Sequence, residues 1–494
     1  MNSAWVEGFI LLTIFIVYCT IVTVFRSKLE KKNVSVIGPI LLVRTKRGLK
    51  LLDTLAKPKK FWKIFGDLGV ILVFLGMVYM IFLILLMDYI MITSPPEPSP
   101  ATSPRNILLI PGLNEFIPFV WGLIGLIVTL IVHEFSHAIV ARVENIKVKS
   151  LGVVLALIPI GGFAEPDEKE LMKSEKRSRI RIYSAGITAN FLMALIAFAI
   201  FFSLLGFLKP HVVVLKSLND NFEERSAIIS INGIDVETPQ DILKAVDDFD
   251  VVNVVVRKQD GQIEELEVKP VMGVYIVGIL NNTPAERVGL KKDSVIISVN
   301  GINTPNTDVF RKIMLKTKPN DTIEVEVLED GAVKRYSVKL AEMKGHGFLG
   351  VLIGGDYFAG AVIGYSKGII DSLTKIPANV QGLFYLTAMP FYFRSFDGIT
   401  NYFTPQGIFT KLGDALFYLL NIFYWVAWLN FYIGLFNCLP AVPLDGGRLL
   451  GDLLRYFMRE DFASTITRSL TFFVFFSILL SILIPNIHGL MGFG

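Results

Sequence analysis

Two of the five histidines in this 494-residue chain stand four positions apart, in the run His133-Glu134-Phe135-Ser136-His137. On a helix, positions i and i+4 share one face, so both imidazoles meet one metal ion there, and Glu134 stands beside them to take a proton from water. The flanking residues, Leu126 to Val132 and Ala138 to Ala141, are apolar. The motif therefore lies in a stretch fit for hydrocarbon, where an ionisable side chain costs about 2.5–3.5 kcal/mol or more and is functional by default. A hydrolytic zinc centre takes three protein ligands and leaves a fourth position open. His211 and His346 border a charged segment and His488 follows the final apolar run, so all three read as surface or interfacial residues and poor third ligands. Cys438 is an alternative. The stronger candidate is Asp445, in Asn437-Cys-Leu-Pro-Ala-Val-Pro-Leu-Asp-Gly-Gly-Arg448, where two prolines break a helix. Irregular backbone at membrane depth is tolerated only when buried in protein or lining a wet cavity. Asp445 also suits a helix N-cap, and capping does not exclude ligation.

Composition says where this chemistry sits. Hydrophobic residues make up 52% and charged residues 19%, against about 25% charged in soluble domains, so the chain reads as a membrane protein with the lipid bilayer as a partner. A net charge of +4 carries no strongly basic field and excludes a nucleic-acid partner. Two cysteines, Cys19 and Cys438, exclude a disulfide scaffold, an all-cysteine zinc site and an iron–sulfur cluster. Runs of about 20 apolar residues predict spans at 4–25, 65–93, 117–141, 182–207 and 413–440, with a shorter sixth at 469–487. Residues 379–393 are too short to span and read as interfacial. Lys/Arg asymmetry sets the orientation. Residues 26–63 carry twelve Lys/Arg and residues 169–181 carry six, so both belong inside, while the proline-rich 94–104 belongs outside. Alternation in a prokaryotic-like cell membrane then puts both termini outside and the metal motif towards the cytoplasm. With Glu7 and no basic leader, 4–25 reads as a retained span.

Residues 211–345 hold 39 charged residues and net −5, against +9 for the rest of the chain. They read as an acidic, soluble insertion on the outer side. Within it, Ser226-Ala-Ile-Ile-Ser-Ile-Asn-Gly-Ile234 matches Ser294-Val-Ile-Ile-Ser-Val-Asn-Gly-Ile302 at an offset of 68. Each copy predicts a strand, an Asn-Gly turn, a helix (240–247 or 307–315) and a hairpin turning at Asp260-Gly261 or Asp330-Gly331. The copies resemble PDZ domains, the second more closely through Pro284-Ala-Glu-Arg-Val-Gly-Leu290. The resemblance implies a groove taking an extended peptide or a C-terminus by strand addition; a packing module without ligand is the other reading.

HEFSH in one span and NCLPAVPLDGG in a later one resemble the site-2 protease family of intramembrane zinc metalloproteases, in which inserted PDZ domains occur. The fold class is then a polytopic α-helical membrane protein of about six transmembrane helices with an inserted pair of PDZ-like α+β domains. The resemblance implies Zn2+ held by His133, His137 and Asp445, Glu134 as catalytic base, and transmembrane proteins as substrates. It also aligns Asn190, in Ala185-Gly-Ile-Thr-Ala-Asn190, with a family Gly-Pro-x-x-Asn element, although Ile187 replaces the proline. Asn190 and Asn437 are candidates for oxyanion or substrate contact, and Asn190 equally for an interhelical hydrogen bond. Residues 151–163 are too short to span and end in Gly161-Gly162-Phe163, so they dip in and return. In the family such a hairpin pairs with substrate; a packing loop is the alternative. Residues 358–376 read as an amphipathic helix lying on the surface.

The domain reading is 1–93 (two helices and a basic loop), 94–116 (outer loop), 117–207 (first core half, with a hairpin at 148–165), 211–270 and 271–345 (the repeats), 346–410 (amphipathic and interfacial) and 411–494 (second core half). The first two spans fall outside the catalytic core. Two rival functions remain on the residues alone: a cation- or proton-coupled transporter using Glu134 and Asp445, and a catalytically silent membrane-anchored scaffold. The paired histidines and the absence of repeated span halves favour hydrolysis.

Overall fold

Five helices among the described residues are long and apolar enough to cross a membrane. They are α1 (Lys59–Thr93), α2 (Phe119–Val143), α3 (Lys176–Leu205), α4 (Ala415–Asn437) and, after the shorter amphipathic α5 (Asp445–Phe457), α6 (Glu460–Met491). The computed structural model describes residue 13 and residues 16–491, except 33, 47, 98, 107, 108, 157, 220, 248 and 378. The predicted spans from 65 onward coincide with these five helices, and that predicted at 4–25 lies mostly outside the described residues. Two units form the chain: one joins residues 1–201, 383–395 and 419–494, the other 202–382 and 396–418.

α3 begins six residues earlier than its apolar run because its basic first turns are paired. Arg181 forks onto Asp67 of α1 through Nε and Nη2, both at 2.7 Å, and donates from Nη1 to Glu144 at 3.0 Å. Arg179 forks onto Asp452 of α5 at 2.7 and 2.9 Å. Planar guanidinium–carboxylate pairs of this kind fix orientation as well as proximity. Ser184 Oγ also donates to the Gly66 carbonyl at 2.9 Å. The second predicted span, α1, is thus built into the helix core rather than lying outside it. Val73 of α1, Ile187 of α3, Cys438 and Leu449 of α5 share one buried cluster.

The predicted hairpin is present as β3 (Val148–Ala156) and β4 (Ile158–Pro166), but it belongs to a larger sheet. Two strands from the basic loop, β1 (Val34–Ile37) and β2 (Ile40–Thr45), extend it in the order β1-β2-β3-β4, all antiparallel. Val34-Ser-Val-Ile and Ile40-Leu-Leu-Val flank a turn at Gly38-Pro39, with Gly38 at φ +58°, which is ordinary hairpin chemistry. Lys and Arg on both sides hid it as charge patterning. Residues 379–393 contain a helix, Val380–Tyr392, that packs among the spans. Tyr79 Oη of α1 lies 3.1 Å from Thr387 Oγ1, and Tyr424 Oη of α4 donates to the Phe393 carbonyl at 2.7 Å.

In the second unit, the repeated sequences form repeated structure. Strands 227–231 and 295–299 each end in an Asn-Gly turn with both residues at positive φ, and the helices are Pro239–Val246 and Thr307–Met314. Each repeat has its own core, around Ile228, Val254 and Val212 in the first and Ile296, Val325 and Val274 in the second. Residues 346–365, expected outside the repeats, instead complete them. Val351–Phe358 pairs with Met272–Ile279, and Ala361–Tyr365 pairs with Val212–Ser217. The expected amphipathic helix at 358–376 is reduced to Lys367–Thr374, because Ala359 (φ +48°) and Gly360 (φ +101°) make a tight turn no helix accommodates. The two new strands pair with each other, Asp356↔Ile363 to Phe358↔Ala361, joining the repeats into one sheet.

Candidate metal centre

The i/i+4 spacing on α2 brings His133 Nε2 and His137 Nε2 to 3.1 Å from each other. Asp445 Oδ2 lies 3.1 Å from the first and 3.0 Å from the second. Pro440 and Pro443 end α4 and turn the chain into α5, whose first residue is Asp445; the cap position is Leu444. The carboxylate is therefore not an N-cap, and points at the histidines instead. Among the described residues this is the one cluster of three His, Cys, Asp or Glu side chains whose ligand atoms converge. All three side chains are about nine-tenths buried, at 10–12% exposure.

The hydrogen bonds around the cluster assign its protons. His137 Nδ1 lies 2.7 Å from the Ile182 carbonyl oxygen, which only accepts, so Nδ1 carries the hydrogen and Nε2 presents a lone pair. That lone pair faces a carboxylate oxygen and a second imidazole nitrogen at about 3 Å, a set of acceptors that needs a cation among them. Tetrahedral zinc with bonds of about 2.0–2.1 Å separates its ligand atoms by about 3.3 Å, close to what is found. The donor set fits zinc. On the other imidazole, Asn190 Nδ2 lies 3.1 Å from His133 Nδ1, while Asn190 Oδ1 is buried with no partner. Turning the amide by 180° gives Oδ1 the Nδ1–H and leaves His133 Nε2 free to ligate. Asn190 thus touches a histidine of the cluster.

Glu134 stands beside the cluster, and its Oε2 accepts a 2.6 Å hydrogen bond from the backbone N–H of Ala164 on β4. Gly162 makes this approach feasible, since a Cβ there would stand 2.9 Å from Glu134 Cγ. Phe163 lies under Arg44, 5.7 Å from guanidinium to ring centre, and Gly161 continues the same edge strand. Asn437 donates from Nδ2 to Ile433 O of its own helix at 3.1 Å. Cys438 is fully buried in the apolar cluster with Val73 and Ile187 and is not among the converging ligands. Gly186 escaped sequence reasoning as a site residue: a Cβ there would stand 2.4 Å from His137 Nε2 and 2.8 Å from His133 Cε1. The only sequence signal was its place four residues before Asn190.

Peptidase family M50 matches residues 121–482, which takes in α2, the sheet hairpin, both repeats and α5. The chain belongs to peptidase family M50. As an M50 member it is an integral membrane peptidase. An uncharacterized protein of Methanocaldococcus jannaschii is 26% identical over 88% of this chain and 83% of its own length. The regulator of sigma E protease of Salmonella typhi is 23% identical over 68% of this chain and 90% of its own. A membrane-bound transcription factor site-2 protease homolog of Arabidopsis thaliana is 33% identical over 25% of this chain and 26% of its own.

The remaining histidines of this M50 chain lie apart from the cluster. His346 is exposed, as expected, and the His488 side chain lies outside the described residues. His211 is not on the surface as expected: it is 1% exposed, with Nε2 2.6 Å from Thr404 Oγ1 and Nδ1 unpartnered. Burial first, then the Arg257 and Lys209 cations, hold it down to about 4 from an ordinary 6.5. Between those values the unfolded chain binds the proton and the folded one does not, so stability is complete above about 6.5 and lost on acidification towards 4, by about 3 kcal/mol. Thermal melting against pH checks this: His211→Phe should flatten the slope in that window, and an unchanged slope would assign the acid sensitivity elsewhere.

Proposed function

We propose that this M50 peptidase is an intramembrane zinc endopeptidase that cuts peptide bonds within or near the transmembrane segments of other membrane proteins. The observation that carries the reading is the convergence of His133 and His137, on a helix apolar enough to span, with Asp445 at the start of α5, and Glu134 alongside. Those three residues would hold the zinc. When bound, zinc supplies a Lewis acid that acidifies water and polarises a carbonyl. Glu134 takes the proton of the attacking water and returns it to the leaving amine. Ile182 O and Asn190 hold the two imidazoles with Nε2 facing inward. β4 pairs with no further strand among the described residues, and its outer backbone groups, apart from the Ala164 N–H that Glu134 takes, are offered to a substrate stretch that has given up its helical hydrogen bonds.

In this reading the basic loop and the residues ahead of α3 lie on the cytoplasmic face, and the acidic insertion and both termini lie outside. The unplaced first span makes six transmembrane helices. The two repeats act as a tandem PDZ-like pair, whose grooves take peptide ends or whose bulk screens substrates by size. The relatives' names, zinc metalloprotease RasP of Shouchella clausii among them, support the same chemistry.

The test uses the purified full chain and a synthetic transmembrane peptide. Wild type should carry about one zinc per chain and cut the peptide, lose cutting to a chelator and regain it on zinc addition. Asp445→Ala should lose both zinc and cutting. Zinc retained at wild-type level in Asp445→Ala removes it from the ligand set, and cutting that survives complete metal removal removes the mechanism.

A further inference from the structure

The membrane unit also contains a cavity of about 740 Å3 between α3, α5 and α6, lined by none of the metal-centre residues. Its walls carry four arginines, Arg179, Arg448, Arg455 and Arg468, and one acid, Asp452. Arg179 is spent on Asp452, and Arg455 on Asp452 and Glu460 at 3.0 and 2.9 Å. The guanidinium groups of Arg448 and Arg468 have no hydrogen bond or ion pair among the described residues, and both residues are exposed. The cavity therefore presents two uncompensated positive charges.

Their depth is readable from the helices. Arg468 is the last charged residue of α6, and α3 has none beyond Arg181. The Arg468 guanidinium thus sits where a polar helix end gives way to an apolar run, the level of phospholipid headgroups, and Arg448 lines the same cavity. One turn further along α6 the cavity wall becomes apolar and open, with Phe472 71% and Phe475 50% exposed. A free anion needs only the arginines. Exposed aromatic rings continuing from them into the apolar run call for a ligand with a hydrocarbon tail.

We infer that this cavity binds an anionic phospholipid, its phosphate taken by Arg448 and Arg468 and its acyl chains lying along Phe472 and Phe475. The surplus positive charge selects a net-negative headgroup over a zwitterionic one, whose own ammonium meets the arginines as a like charge. Arg448 lies three residues after Asp445 on α5, so the bound lipid steadies the helix turn that carries Asp445.

Native mass spectrometry of the full chain, exchanged into micelles doped with phosphatidylglycerol or phosphatidylcholine, tests this without reference to catalysis. Wild type should retain phosphatidylglycerol over phosphatidylcholine, and Arg448→Gln with Arg468→Gln should weaken that retention about thirtyfold, or about fivefold per arginine. Inorganic phosphate should leave the lipid in place. Equal retention of the two lipids, undiminished retention by the double variant, or displacement by inorganic phosphate each overturns the proposal; the last marks a free-phosphate site. Should the double variant misfold, Arg468→Gln alone carries the test, with the fivefold loss expected and no loss overturning it.

Discussion

Glu134→Gln should lower cleavage of a transmembrane peptide by about a hundred- to ten-thousandfold, the usual worth of a positioned acid–base, with zinc content and melting temperature unchanged. Gln keeps the length of the side chain, and its amide oxygen can still accept from the Ala164 N–H that Glu134 Oε2 now takes at 2.6 Å. What it loses is the capacity to hold a proton. Elemental analysis and peptide-cleavage rates on the same preparation separate the two properties. Cleavage persisting in the variant would take proton transfer away from Glu134; zinc lost along with activity would make it a supporting residue of the metal cluster.

Gly186→Ala should act in the opposite sense on fold and function. Alanine in place of a mid-helix glycine favours a helix by about 0.8–1.0 kcal/mol, so α3 by itself gains. Yet the added methyl would stand 2.4 Å from His137 Nε2 and 2.8 Å from Cε1 of both histidines. Neither ring can yield freely, since His137 Nδ1 is bonded to Ile182 O and His133 Nδ1 to Asn190. The displaced imidazoles should weaken zinc binding by about 10–100-fold, the range seen when the support of a ligand is disturbed. Competition with a fluorescent chelator measures this; unchanged affinity would show that the rings are less constrained than their hydrogen bonds imply.

How far the sequence carried depended on the range of the interaction. The histidine pair was legible because four residues is a helical distance, and Asp445 because two prolines flag broken backbone. The spans from 65 onward followed from apolar length alone. The strands 34–45 were not legible, since their alternation is brief and sits among lysines and arginines, and β2, already paired with β1, completes its other edge only on β3 more than a hundred residues later. The same holds for 351–365, of which the part from Phe358 on has an apolar spacing that also suits a helix over 358–376 until the Ala359-Gly360 turn is known. His211 was misjudged because position beside a charged segment says nothing of burial; the covering Thr404 lies 193 residues away. Gly186 was missed because a glycine offers no chemistry of its own, and its value lies in the space it leaves.

The joined sheet of the second unit has a mechanical consequence. Two domains on a flexible linker swivel and can each engage a ligand in its own orientation. Here the hairpin 351–365 gives one strand to each repeat and closes three residue pairs between them, so twisting one repeat against the other means tearing backbone hydrogen bonds. The pair behaves as a single stiff plank, with a fixed span and little torsional play.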